Sequence, residues 1–174
     1  MFKREFKINF KSLILWSVIL LAIYILVFSI YPSLINEDSK QGIEELMKTM
    51  PQEMLASFNM DLVGIESAFG WFKTEGYTFL TLIGGIYAAI LGGTILLKEE
   101  NDKTIEFLYS KPVSRNNIVT SKILCGIVNI LIFTSIITLG NLIALMGNAG
   151  FNLKQFLMIS ILPILLYYML FFIM

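Results

Sequence analysis

Four runs of 19 to 24 residues carry no charged side chain: Leu13–Tyr31, Tyr77–Leu97, Ile123–Met146 and Phe156–Met174. At about 1.5 Å of rise per residue, even the shortest crosses the roughly 30 Å hydrocarbon layer of a bilayer as a helix. The pattern predicts an all-α integral membrane protein with four transmembrane helices. Composition agrees: 56 % of the 174 residues are hydrophobic and 15 % are charged, more apolar surface than a soluble domain of this size can bury. The first run ends at Tyr31-Pro32 rather than in the small residues of a cleavage site, so it reads as a retained anchor and not a signal peptide.

The segments between the runs differ in charge. Residues 1–12 are basic, with Lys3, Lys7 and Lys11 on one helical stripe and Phe2, Phe6 and Phe10 on the next, as suits an interfacial helix in an anionic headgroup layer or, equally, basic residues that only fix orientation. Residues 32–76 carry eight acidic and three basic side chains. There Ile43, Leu46, Met47, Met50, Met54, Leu55 and Phe58 recur at helical spacing, and Pro51 is placed to start a second short helix. Glu44, Glu45, Lys48 and Glu53 would together cost about 10 kcal/mol at the bilayer centre against about 4 gained, so the segment is expected not to span but to form an amphipathic cap, with a merely packed loop as the alternative. Residues 1–12 and 98–122 hold nine of the thirteen Lys and Arg. The excess of positive charge on cytoplasmic segments then places the N-terminus and the 98–122 loop inside, and residues 32–76 and 147–155 outside.

Inside the runs, small residues recur every fourth position as Gly85, Ala89 and Gly93, with Gly84, Ala88 and Gly92 beside them, a pattern that admits a closely packed helix. Packing within the subunit is the expected use. The third run, about 36 Å long as a helix, is expected to tilt. Its Thr134, Thr138 and Asn141 share a face and are expected to hydrogen-bond a neighbouring helix. The fourth run is interrupted by Pro163 and ends in apolar residues without a polar or basic flank, so a fragment or a C-terminally truncated chain is expected.

Candidate chemistry is sparse. There is no His, Cys125 is the one cysteine, and no GxxxxGK[ST] occurs, so disulfide, metal-cluster and nucleotide-hydrolysing roles are not expected. Ser29, Ser135 and Ser160 have no histidine to activate them, and the runs contain no ionisable side chain of the kind ion-coupled carriers use. The chain is therefore expected to be neither an enzyme nor a cofactor binder, and any uphill work must draw on another chain through the cytoplasmic surface.

Residues 98–122, KEENDKTIEFLYSKPVSRNNIVTSK, are more ordered than a tether requires. Asn101 or Asp102 can cap a short helix that places Ile105, Leu108 and Tyr109 on one face. Pro112 ends it and turns Lys111 away from helical angles, and Ser114 can cap the helix that continues through Ile118 and Lys122. A solvated linker that only sets orientation is the plainer alternative, but it needs neither the apolar stripe nor two capped helices.

This block resembles the permease subunits of ABC-2 type ATP-driven transporters. It carries an acidic pair (Glu99, Glu100), Thr104 with Glu106, Leu108, Ser110 with Pro112, Ser114 with Arg115, and a downstream Lys122. Lys103 stands where many members have glycine. The resemblance implies that the four helices correspond to the first four of six, and that 98–122 forms a coupling helix seated on a separate ATPase subunit. Glu106, Leu108 and Tyr109 would then face the ATPase, Pro112 and Arg115 would fix the turn, and Thr104, Ile105 and Ser114 would complete the interface. A second permease subunit and membrane lipid are the further partners implied, with no nucleic acid. A membrane scaffold or immunity protein that binds a cytoplasmic partner through the same loop is the competing expectation.

Overall fold

The computed structural model describes residues 2–34, 42, 45, 48–57, 67–101, 115–146 and 151–174. Its elements are α1 (Phe2–Leu34), α2 (Gln52–Ser57), α3 (Ala68–Trp71), a π-helical turn (Phe72–Gly76), α4 (Tyr77–Asn101), α5 (Arg115–Leu145) and α6 (Leu153–Ile173). No strand occurs among the described residues. Four helical stretches are long and apolar enough to cross a bilayer: Phe2–Pro32, Ala68–Ile95, Asn116–Leu145 and Leu153–Ile173. The protein is a multi-pass integral membrane protein.

Each helix outruns its uncharged segment. In hydrocarbon every backbone N–H and C=O must find its partner within the helix, so the helix continues until water or a cap can take over. Residues 1–12 were expected as an interfacial segment, yet residues 2–12 form the first three turns of α1 and no break follows Ser12. At its other end α3 starts on Ser67, whose hydroxyl accepts the Gly70 N–H at 3.0 Å. Helical structure then runs without interruption from Ala68 through the π turn to Asn101, nine residues earlier than the uncharged run. Asn152 caps α6, its side-chain oxygen accepting the Lys154 and Gln155 N–H groups at 3.1 and 3.3 Å. A helix follows Pro51, with the Met54 and Leu55 N–H groups bonded to the Pro51 carbonyl. Of the apolar positions in that segment, Ile43, Leu46, Met47 and Phe58 lie outside the described residues.

Packing pairs α4 with α6 and α1 with α5. The glycines decide the first pair. A Cβ on Gly84 would collide with the Tyr167 hydroxyl and the adjoining ring edge, and one on Gly92 would lie 2.5 Å from the Phe171 carbonyl oxygen. Phe171 is clamped from its other side, because its ring covers Gly126 of α5. The close-packing row is therefore Gly84, Ala88 and Gly92, not Gly85, Ala89 and Gly93. Gly93 has nothing within 4 Å of its would-be Cβ, and Gly85 meets only the end of Leu170. Those two rows lie one residue, about 100°, apart on the helix, so only one can face α6 squarely. The Gly85–Ala89 side instead lines an open groove of about 650 Å³ with Thr81, Leu82, Ile86 and Leu166.

Three tyrosines brace the bundle through backbone carbonyls. Tyr24 of α1 donates to Gly76 O at 2.9 Å, Tyr167 of α6 to Leu80 O at 2.6 Å, and Tyr168 to Ile127 O at 3.3 Å. A phenolic hydroxyl deep in a bundle needs such an acceptor, and a helix carbonyl has a second lone pair to offer. Around Tyr24 an aromatic cluster of Phe28, Phe72, Phe156, Phe151 and Phe69 fills the end of the bundle remote from the 98–122 loop. The π turn lies within it, and places Lys73 4.8 Å above the Phe69 ring.

Candidate functional site: the foot of the 98–122 loop

The loop joins α4 to α5, and its two feet are tied to each other. Lys122 sits two turns inside α5, 3 % exposed, and its ammonium donates to the carbonyl of Ile95 on α4 at 2.7 Å. An ammonium buried among apolar helices requires oxygen partners, and Ile95 lies close to the C-terminal end of α4, where the helix dipole favours positive charge. A bond spanning 27 residues thus closes the base of the loop. Lys122 stands outside the uncharged run that begins at Ile123, yet the structure buries it. The expectation that no ionisable group lies within the membrane helices therefore needs correcting: Lys122 and Glu5 are both buried inside them.

Below Lys122 on the same face of α5 lie Cys125 and Asn129. The Asn129 amide donates to Cys125 O at 2.8 Å and to its Sγ at 3.3 Å. Asn9 and Glu5 of α1 and Tyr87 of α4 lie near Cys125. Sequence reasoning grouped Glu5 and Asn9 with the basic segment and missed them. A signal was available: Glu5, Asn9, Leu13, Ser17, Leu20 and Tyr24 follow one helical stripe, which is the face α1 turns inward. The segment's Phe2 and Phe6 pack against the core, whereas Phe10 is exposed.

The motif residues of the loop divide in two. Thr104, Ile105, Glu106, Leu108, Tyr109, Ser110, Pro112 and Ser114 lie outside the described residues, as do Asp102 and Lys103. Glu99 and Glu100 belong to α4, and Arg115 is the first residue of α5, directly after Ser114. Asn101 is the last residue of α4, so it cannot cap a new helix, and that part of the sequence reading is corrected. The helix persists past Leu97 because Lys98–Asn101 contains neither Pro nor Gly to stop it.

Hydroxyls within the spans bond mostly to their own helices. Ser29, Thr134 and Ser135 each donate to the carbonyl four residues back, at 2.7, 2.6 and 2.8 Å. Thr134 was expected to reach a neighbouring helix and does not; Asn141, on the same face, does meet Tyr24 of α1. Thr134, Ser135 and Thr138 line, with Ser160 of α6, an open pocket of about 380 Å³ whose walls are otherwise leucine and isoleucine. Because its Thr134 and Ser135 hydroxyls are engaged, this pocket is suited to apolar matter. Among the described residues no three His, Cys, Asp or Glu side chains converge as a metal site.

Comparison with known proteins returned one family: a family model described as "ABC-2 family transporter protein" matches residues 1–174. No curated protein and no solved structure matches the chain.

Proposed function

The chain belongs to the ABC-2 family of transporter proteins and is a permease component of an ABC transporter; from that premise we propose that it forms the translocation path of an exporter and takes its energy from a separate ATPase subunit through residues 98–122. The observation that carries this reading is the tied foot of the loop. A force applied at 98–122 reaches α4 and α5 together through the Lys122–Ile95 bond, and α4 passes it to α6 through the glycine contacts at Gly84 and Gly92. A linker would need no such bond.

In this reading the N-terminus and the loop face the cytoplasm, in line with the nine basic residues they hold. Glu106, Leu108 and Tyr109 contact the ATPase, Pro112 and Arg115 fix the turn that presents them, and Thr104, Ile105 and Ser114 complete the interface. ATP is hydrolysed on the partner, since this sequence has no phosphate-cradling motif. Two permease subunits and two ATPases make the working unit in the cell membrane.

The test is purification of the tagged chain in mild detergent from its own cells, with identification of what accompanies it. A stoichiometric Walker-motif ATPase is expected, and Leu108→Asp should abolish its retention, because a carboxylate on the docking face is buried unpaired at about 3–5 kcal/mol. Retention of the ATPase by Leu108→Asp would remove Leu108 from the contact face. A well-inserted chain that brings a different partner and no ATPase would favour a scaffold or immunity role.

A further inference from the structure

The outward face of α1 carries two surfaces in series. Lys3, Arg4, Lys7 and Lys11 are all exposed, and none of them forms an ion pair among the described residues. Glu5, the single acid in residues 1–12, is buried and turned to the core. At about 100° per residue the four cations share an arc of about 100°, opposite the buried Glu5, Leu13 and Leu20. Further along the same face, Ile14, Leu15, Val18 and Ile25 are 45, 59, 57 and 68 % exposed. From this stacking of cations on a lipid-facing apolar stripe we infer that the outward face of α1 binds anionic phospholipid. The headgroup phosphate sits between Lys7 and Lys11, and the acyl chains run along Ile14, Leu15 and Val18.

Helix continuity sets the depth. α1 is unbroken from Phe2 to Leu34, so Lys11 and Lys7 stand at most about 3 and 9 Å beyond Leu13, where the uncharged run begins. The headgroup layer is roughly 5–8 Å thick on each side of a bilayer, so these two lysines bracket it. Their side chains lean toward the helix N-terminus, out of the hydrocarbon and up to the phosphates. Lys3 and Arg4 lie about one Debye length (~8 Å) further out and act through the surface potential. A neutral lipid gains nothing from four unpaired cations. A nucleic acid or acidic protein cannot use the apolar half of the face, which the hydrocarbon covers. Lysines that only set orientation need no acid turned away from them. The site lies on α1 and does not depend on what docks on the loop.

The experiment is native mass spectrometry of the purified full-length chain in mild detergent, titrated with dioleoyl-phosphatidylglycerol or dioleoyl-phosphatidylcholine. No insertion occurs in this assay, so a lysine that only directs orientation has no effect on it. The first phosphatidylglycerol should bind about fivefold or more tightly than the first phosphatidylcholine, the worth of a single surface cation. Lys7→Gln combined with Lys11→Gln should bring that ratio close to one. Lys154→Gln alters an exposed cation at the start of α6, by the aromatic end of the bundle, and should leave the ratio unchanged. Equal binding of the two lipids by the unmodified chain would overturn the inference, and needs no variant to fold. A preference that persists in the double variant would also overturn it, since the anionic lipid would then be held elsewhere. So would an equal loss in Lys154→Gln, which would mark a response to net charge and not to this face.

Discussion

Gly92→Ala probes the packing logic of the bundle most directly. The added Cβ would lie 2.5 Å from the Phe171 carbonyl oxygen and 3.0 Å from its Cα. Both are backbone atoms, so no rotamer change relieves the contact, and α6 must withdraw by roughly 0.9 Å to reach an ordinary separation. Withdrawal is resisted because the Phe171 ring sits on Gly126 of α5. Overpacking of this kind costs about 1–3 kcal/mol, and the helix propensity of Ala over Gly returns up to about 1. The net expectation is destabilisation by up to about 2 kcal/mol. Gly93→Ala is the matched control: it has the same propensity gain and open space around its Cβ, so it should be neutral or stabilising by up to about 1 kcal/mol. Reversible unfolding of both variants in detergent micelles, followed by circular dichroism, measures the difference. A Gly93→Ala as damaging as Gly92→Ala, or more so, would refute the assigned packing row, because the propensity gain is common to both.

Tyr167→Phe removes a hydroxyl bonded to Leu80 O and should destabilise by about 0.6 kcal/mol, a typical value for a membrane interhelical hydrogen bond, in the same unfolding assay. Lys122→Glu places a carboxylate against the Ile95 carbonyl at a buried position and should abolish a monodisperse peak in detergent size exclusion, whereas Lys122→Arg should retain it. Ser135→Ala deletes a hydroxyl on an exposed face that bonds only its own helix, and should stay within about 0.5 kcal/mol of the unmodified chain by thermal unfolding.

Much of the architecture was legible before any coordinates because its cause is local. An uncharged run of 19 or more residues has only one low-energy state in a bilayer, so the four spans follow from hydropathy alone. The helix start after Pro51 follows from chemistry within one turn, whereas the sequence reading puts the Asn152 cap in a loop. The loop motif was legible for the same reason, as a contiguous block, and it points to the family that residues 1–174 match.

What required the tertiary structure is everything set by helix rotation and by neighbours. Two glycine rows one residue apart in α4 are equivalent in sequence, and only the position of Phe171 and Tyr167 on α6 makes Gly84 and Gly92 the packed pair. The helix ends moved outward because backbone satisfaction, which hydropathy does not measure, governs where a membrane helix stops. Glu5 and Lys122 look like surface charges beside a span until α1, α4 and α5 close around them. Burial belongs to the assembly of helices and to none of them singly, so the tied foot of the loop exists only once the bundle has formed.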